Sequence, residues 1–97
     1  MVPRLTRGQI RVLHTILRYL DEVGTTPSTQ ALAKEVYGSR SSAGSVHYHI
    51  TGLRKKGLLA PADELNGRIA VPDKDEAAEA VEVSLAIFKD ALDGLDG

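Results

Sequence analysis

Cysteine and tryptophan are absent from the 97 residues, and there is a single phenylalanine. The lack of cysteine excludes disulfides, thiolate metal ligands and thiol nucleophiles, and it suits a reducing cytoplasm. With so few large aromatics, the core has to be assembled from Leu, Ile, Val and Ala. No run approaches the ~20 apolar residues of a membrane span, and the N-terminus lacks the apolar stretch of a signal peptide. The expectation is a cytoplasmic protein with no membrane partner. Chemistry is equally sparse. No carboxylate pair, nucleophile–base set or phosphate-binding glycine loop stands in a plausible setting, so neither an enzyme nor a cofactor or small-molecule ligand is expected. Gly8 and Gly38 read as isolated punctuation. His47 and His49 sit two residues apart. On a helix they point roughly 200° apart and cannot chelate one ion, so no metal site is expected.

What is present is an uneven charge. The formal net charge is only −1, but residues 1–71 hold ten Lys and Arg against five Asp and Glu, whereas residues 72–97 hold two against eight. A basic body with an acidic tail follows, and local rather than total charge decides what is attracted. The body suits a polyanion.

Hydrophobic spacing places the elements. Thr6-Arg7-Gly8-Gln9 has capping-box spacing, and Ile10, Leu13, Ile16, Leu17 and Leu20 continue as one apolar stripe up to Gly24. Ser28 caps a second helix that runs to about Tyr37 and stops at Gly38. Ser42 is the expected cap of a third. There Val46, Ile50 and Leu53 face inward, while Gly44, Tyr48, Thr51 and Lys55 fall on the opposite face, with Ser45 and His47 beside them. Residues 58–61 and 68–71 read as two short strands joined through the tight-turn dipeptide Asn66-Gly67, with Pro61 fitting an edge. The fold class expected is mainly α with a small β-hairpin: a three-helix winged helix-turn-helix over residues 1–71, plus a C-terminal amphipathic helix over 72–97.

The order and spacing of several fragments resemble the DNA-binding half of LexA repressors. They are Leu5-Thr6-x-x-Gln9-x-x-Val12-Leu13, then Gly24-x-x-Pro27-Ser28 with Ala31-Leu32-Ala33, then Val46-x-x-His49-Ile50 leading into Leu53-Arg54-Lys55-Lys56-Gly57-Leu58, and finally Asn66-Gly67-Arg68-Ile69. The resemblance spans about residues 4–72. It implies double-stranded DNA as partner and a third helix in the major groove. Base-reading roles then fall on Ser42, Gly44, Ser45, His47 and Tyr48, nearly the set chosen by the helical wheel. Backbone contacts are expected from Ser28, Gln30, Arg40, Thr51, Arg54, Lys55, Lys56 and Arg68, since cations supply most non-specific affinity. Asp63 and Glu64, near the expected hairpin tip, would repel phosphate. Well-known members carry acidic side chains where His47 and Tyr48 stand, so the operator sequence does not transfer. They also continue into a peptidase domain with a Ser/Lys pair; 97 residues leave no room for one, and induction by self-cleavage is not expected.

In the tail, Ala78, Val81, Leu85, Phe88, Leu92 and Leu95 recur at spacings of three and four, a heptad-like seam. It can pair with a second copy or fold back over its own domain. Because repressors of this kind bind paired half-sites, a homodimer through Val81, Leu85, Phe88, Leu92 and Leu95 is expected. The functional expectation is a nucleoid-associated, sequence-specific transcriptional regulator, a repressor on a near-palindromic operator. The alternative is a protein-docking module that works through its acidic C-terminal helix.

Overall fold

The structure is a computed structural model that describes residues 2–61 and 68–93. Four helices carry it: α1 (Arg7–Val23), α2 (Thr29–Tyr37), α3 (Ala43–Lys55) and α4 (Lys74–Leu85), with a 3-10 turn at Arg40–Ser42 ahead of α3. The α1 start is a complete capping box. The Gln9 backbone N–H donates to Thr6 Oγ1, and the Thr6 backbone N–H donates to Gln9 Oε1 at 3.0 Å. Gly24 and Gly38 end α1 and α2 in the left-handed region, at φ 88° and 74°, where a side chain would be strained. Past α3, Gly57 at φ 78° lets Leu58 N–H return to the Leu53 carbonyl while its own N–H reaches the Arg54 carbonyl. This reversal turns Leu58 and Leu59 into the core.

The core is the apolar face of α1 (Ile10, Val12, Leu13, Ile16) packed on Leu32 and Ala33 of α2 and Val46, Ile50 and Leu53 of α3, all essentially inaccessible. α4 lies across α1 and buries Ala77, Ala80 and Val81. At their crossing α1 and α3 approach through glycine. A Cβ at Gly8 would overlap the His49 ring, and one at Gly52 would overlap Gln9 Nε2. Gly8, read from sequence as punctuation, is therefore a packing position. Gly52→Ala is expected to lose up to ~2 kcal/mol in urea unfolding, an overpacking cost of ~1–3 offset by ~1 of helix propensity. In a Gln9→Ala background the same change should become neutral or stabilising. Equal effects in both backgrounds would show that Gln9 does not set the crossing.

Three expectations are corrected. The small β-hairpin is not seen: there is no strand among the described residues. Residues 58–61 and 68–71 share one backbone bond, Ala60 N–H to the Ala70 carbonyl at 2.9 Å. The Ala60 carbonyl, which a ladder would pair in return, accepts from Arg54 Nε at 3.0 Å instead, and the Ile69 carbonyl accepts from Thr26 Oγ1 at 2.7 Å. The dipeptide Asn66-Gly67, with Asp63 and Glu64, lies outside the described residues. Second, Ser42 stands at the N-cap position of α3 as expected but its side chain makes no capping bond; the 3-10 turn runs directly into α3, and Ser39 Oγ takes the Ser41 N–H at 3.2 Å one turn earlier. Third, the C-terminal helix ends at Leu85 rather than continuing along the seam, and turns follow to Asp93.

Candidate nucleic-acid interface

α3 divides its residues cleanly. Val46, Ile50 and Leu53 are buried, which fixes the rotation of the helix and turns Gly44, Ser45, His47 and Tyr48 to solvent. Tyr48 is 76% exposed, the most exposed of the large hydrophobic side chains, and its ring meets the edge of His49 at 5.5 Å. Burying apolar surface cannot be what holds Tyr48 outward. Ser42 is half-buried at the head of this face. Thr51 is half-buried, and its hydroxyl donates back to the His47 carbonyl at 2.9 Å.

The basic residues separate into committed and available groups. Lys56 is half-buried, and its Nζ donates to the Arg4 carbonyl at 2.7 Å and to Gln9 Oε1, which ties the N-terminal arm to the end of α3. Arg54 is likewise held on the Ala60 carbonyl. Both therefore brace the fold, while Lys55 and Arg68 point to solvent. Ser28 caps α2 through the Ala31 N–H at 3.1 Å. Together with Gln30 and Arg40 it lines an open depression of about 440 Å³, to which Tyr19 and Lys34 also contribute. Sequence reasoning misses Lys34 and Tyr19. The signal available for Lys34 is the i, i+4 spacing that puts it on one face of α2 with Gln30.

Charge is distributed front to back. The exposed side of α4 carries Asp75, Glu76, Glu79 and Glu82, and α4 packs on α1 away from α2 and α3. The surface ion pairs that join α1 to α4 and to the turns after it, Lys74–Asp21 at 3.2 Å and Arg7–Asp90 at 3.1 Å, link well-exposed side chains and contribute little stability. Of the seam, Val81 is buried, and Leu85, Phe88 and Leu92 pack against the core of their own domain, with Arg7 over the Phe88 ring at 5.1 Å. Leu95 lies outside the described residues. No group of three or more His, Asp or Glu among the described residues could hold a metal ion, and no described helix is long and apolar enough to cross a membrane.

Burial also shifts the proton affinity of His49. Desolvation beneath the α1 crossing lowers its pKa from the ordinary 6.5. A histidine with a lowered folded-state pKa is protonated more readily in the unfolded chain. Stability is therefore complete above about pH 6.5 and is lost as pH falls below it towards the folded pKa. Urea midpoints should drop over that range, and His49→Gln should flatten the drop. An unchanged profile in the variant would assign the loss to other groups.

A family model described as the LexA DNA binding domain matches residues 2–65. The LexA repressor of Marinobacter nauticus is 34% identical over 73 residues, a match covering 75% of this chain and 35% of that protein. The chain thus matches about a third of the length of this curated relative. No solved structure matches.

Proposed function

Because the chain belongs to the LexA DNA-binding domain family, we propose that it is a sequence-specific, double-stranded DNA-binding transcriptional regulator acting as a repressor. The observation that supports this most is the outward face of α3. Gly44, Ser45, His47 and Tyr48 are held in solvent on a helix whose other face is locked into the core. Such a helix fits the major groove, where hydrogen-bonding and stacking side chains discriminate base pairs. Ser28, Gln30, Arg40, Lys55 and Arg68 flank it as backbone contacts.

One short recognition helix reaches only a few base pairs, so two copies on a near-palindromic operator complete the reading. Pairing through Val81, Leu85, Phe88 and Leu92 would require these residues to leave their own core. The two copies are therefore taken to meet on the DNA, one per half-site. Repression follows from excluding polymerase from the occupied site.

Selection of bound fragments from a random duplex pool, at about physiological salt where non-specific binding is already weak, tests the proposal. An enriched inverted repeat is the expected outcome. A single enriched half-site would keep the DNA role and remove the pairing. No enrichment by folded protein would favour docking of a protein on the acidic α4 and the turn after it, where Val83 and Ile87 are 42% and 49% exposed.

A further inference from the structure

One peptide group ahead of α1 is held from both sides. The Leu5 N–H donates to Ser84 Oγ of α4 at 2.9 Å, and the carbonyl of the same peptide, on Arg4, accepts from Lys56 Nζ at 2.7 Å. Both bonds load a single rigid plane, which stands between α4 and the C-cap of α3. A further pair of bonds closes the arrangement, since Gln9 Oε1 accepts from Lys56 Nζ and from the Thr6 N–H. Ser84 is wholly buried on the face of α4 that also buries Ala77, Ala80 and Val81, so packing alone does not call for a hydroxyl. Its oxygen is the acceptor that the buried Leu5 N–H requires. The family match ends at residue 65, so α4 and Ser84 lie outside it. Moreover, α3 starts without a side-chain cap and is fastened at its other end, where Lys56 reaches the arm.

We propose, resting on the DNA-binding reading above, that Ser84 is a positioning residue for base reading: through the Arg4–Leu5 peptide and Lys56, α4 fixes the end of α3 and with it the presentation of Gly44, Ser45, His47 and Tyr48. Ser84 touches no DNA in this arrangement. When its hydroxyl is lost, the Arg4–Leu5 peptide loses one of its two anchors, the Lys56 ammonium loses a fixed acceptor, and α3 meets a site in several orientations rather than one. That weakens the selected site, which needs its base-edge bonds in register, more than a random one, which is held by its phosphates.

The test is the ratio of affinities for the enriched and a scrambled duplex, measured with the full chain where circular dichroism shows every variant folded. Ser84→Ala should lower the ratio by about 2- to 30-fold. Lys56→Met, which keeps the stem but loses the ammonium, should lower it too. Because both act through one peptide, the double variant should fall no further than the larger single loss. Ala80→Gly, on the same buried face of α4, costs stability without touching the tie and should keep the native ratio. Amide NMR shifts should move at residues 55–57 in Ser84→Ala and stay native there in Ala80→Gly. If Ser84→Ala does not fold, Ser84→Cys, close in volume but a weak acceptor, takes its place. A native ratio in the Ser84 variant, an equal fall in Ala80→Gly, or losses that add in the double variant would overturn the proposal while leaving DNA binding intact. Failure of the native protein to select any duplex would remove the DNA-binding reading, and the proposal with it.

Discussion

Replacing His47 and Tyr48 together by alanine is expected to erase sequence preference while leaving salt-sensitive, non-specific DNA binding close to native. A good base-reading side chain discriminates by about 1–3 kcal/mol, so removing two of them reduces the preference for the selected site by about 30-fold to 10⁴-fold. Non-specific affinity depends on phosphate neutralisation, which Lys and Arg supply. The variant should also fold normally. Both residues are exposed, and the bond that Thr51 makes to residue 47 goes to its backbone carbonyl. The measurement is competition between the enriched duplex and a scrambled one, alongside circular dichroism. An unchanged ratio would remove these residues from the reading head. Equal loss on both duplexes would mean that they contribute general affinity instead.

Val81→Asp is expected to be the most destabilising of the single substitutions considered. Val81 is 5% exposed between α4 and α1. The change removes a buried valine, worth about 1.5–3 kcal/mol, and puts a carboxylate without a cation where water is excluded. A total of about 3–5 kcal/mol is a large part of the 5–15 kcal/mol that stabilises a typical domain. In a domain of this size it lowers the melting midpoint by on the order of 15–30 °C. The concentration dependence is as informative as the shift. Since Val81 packs within its own chain, the native midpoint should stay constant over roughly a hundredfold range of protein concentration, whereas a seam shared by two copies would make it rise. A rising midpoint, or a variant that melts like the native protein, would overturn the fold-back packing.

Several local rules were legible in the sequence, although the side-chain cap expected of Ser42 was not made. The Thr6–Gln9 capping box, the left-handed stops at Gly24 and Gly38 and the inward stripe Val46–Ile50–Leu53 all stand where spacing puts them. Tertiary competition was not legible. Two short strand-like segments and Asn66-Gly67 suggested a hairpin, but nothing in that pattern reveals that Arg54 claims the carbonyl of Ala60. Periodicity marked Val81, Leu85, Phe88 and Leu92 as apolar without saying whose core they enter. Lys56 counted as one of three consecutive cations, although its ammonium is held on the Arg4 carbonyl and Gln9. The role of Gly8 is likewise invisible until His49 is placed above it. Of the candidate interface, the outward face of α3 could be read from the helical wheel alone. The depression beside α2 could not, because Tyr19 of α1, Lys34 of α2 and Arg40 come together only in the folded chain.

The Leu5 backbone N–H donates to Ser84 Oγ at 2.9 Å across 79 residues of chain, and Ser84 is wholly buried. This single bond fastens the stretch before α1 to the last turn of α4, so the two outer segments of the domain are clasped to each other. Neither can fray alone without stranding a buried donor or acceptor, a penalty of about 1–3 kcal/mol. The helical hairpins of such a fold have mostly neighbouring partners and could close quickly, but the clasp waits for the most distant pair to meet. Opening at either end is therefore expected to propagate to the other, and amide hydrogen exchange would report it as shared protection of α1 and α4.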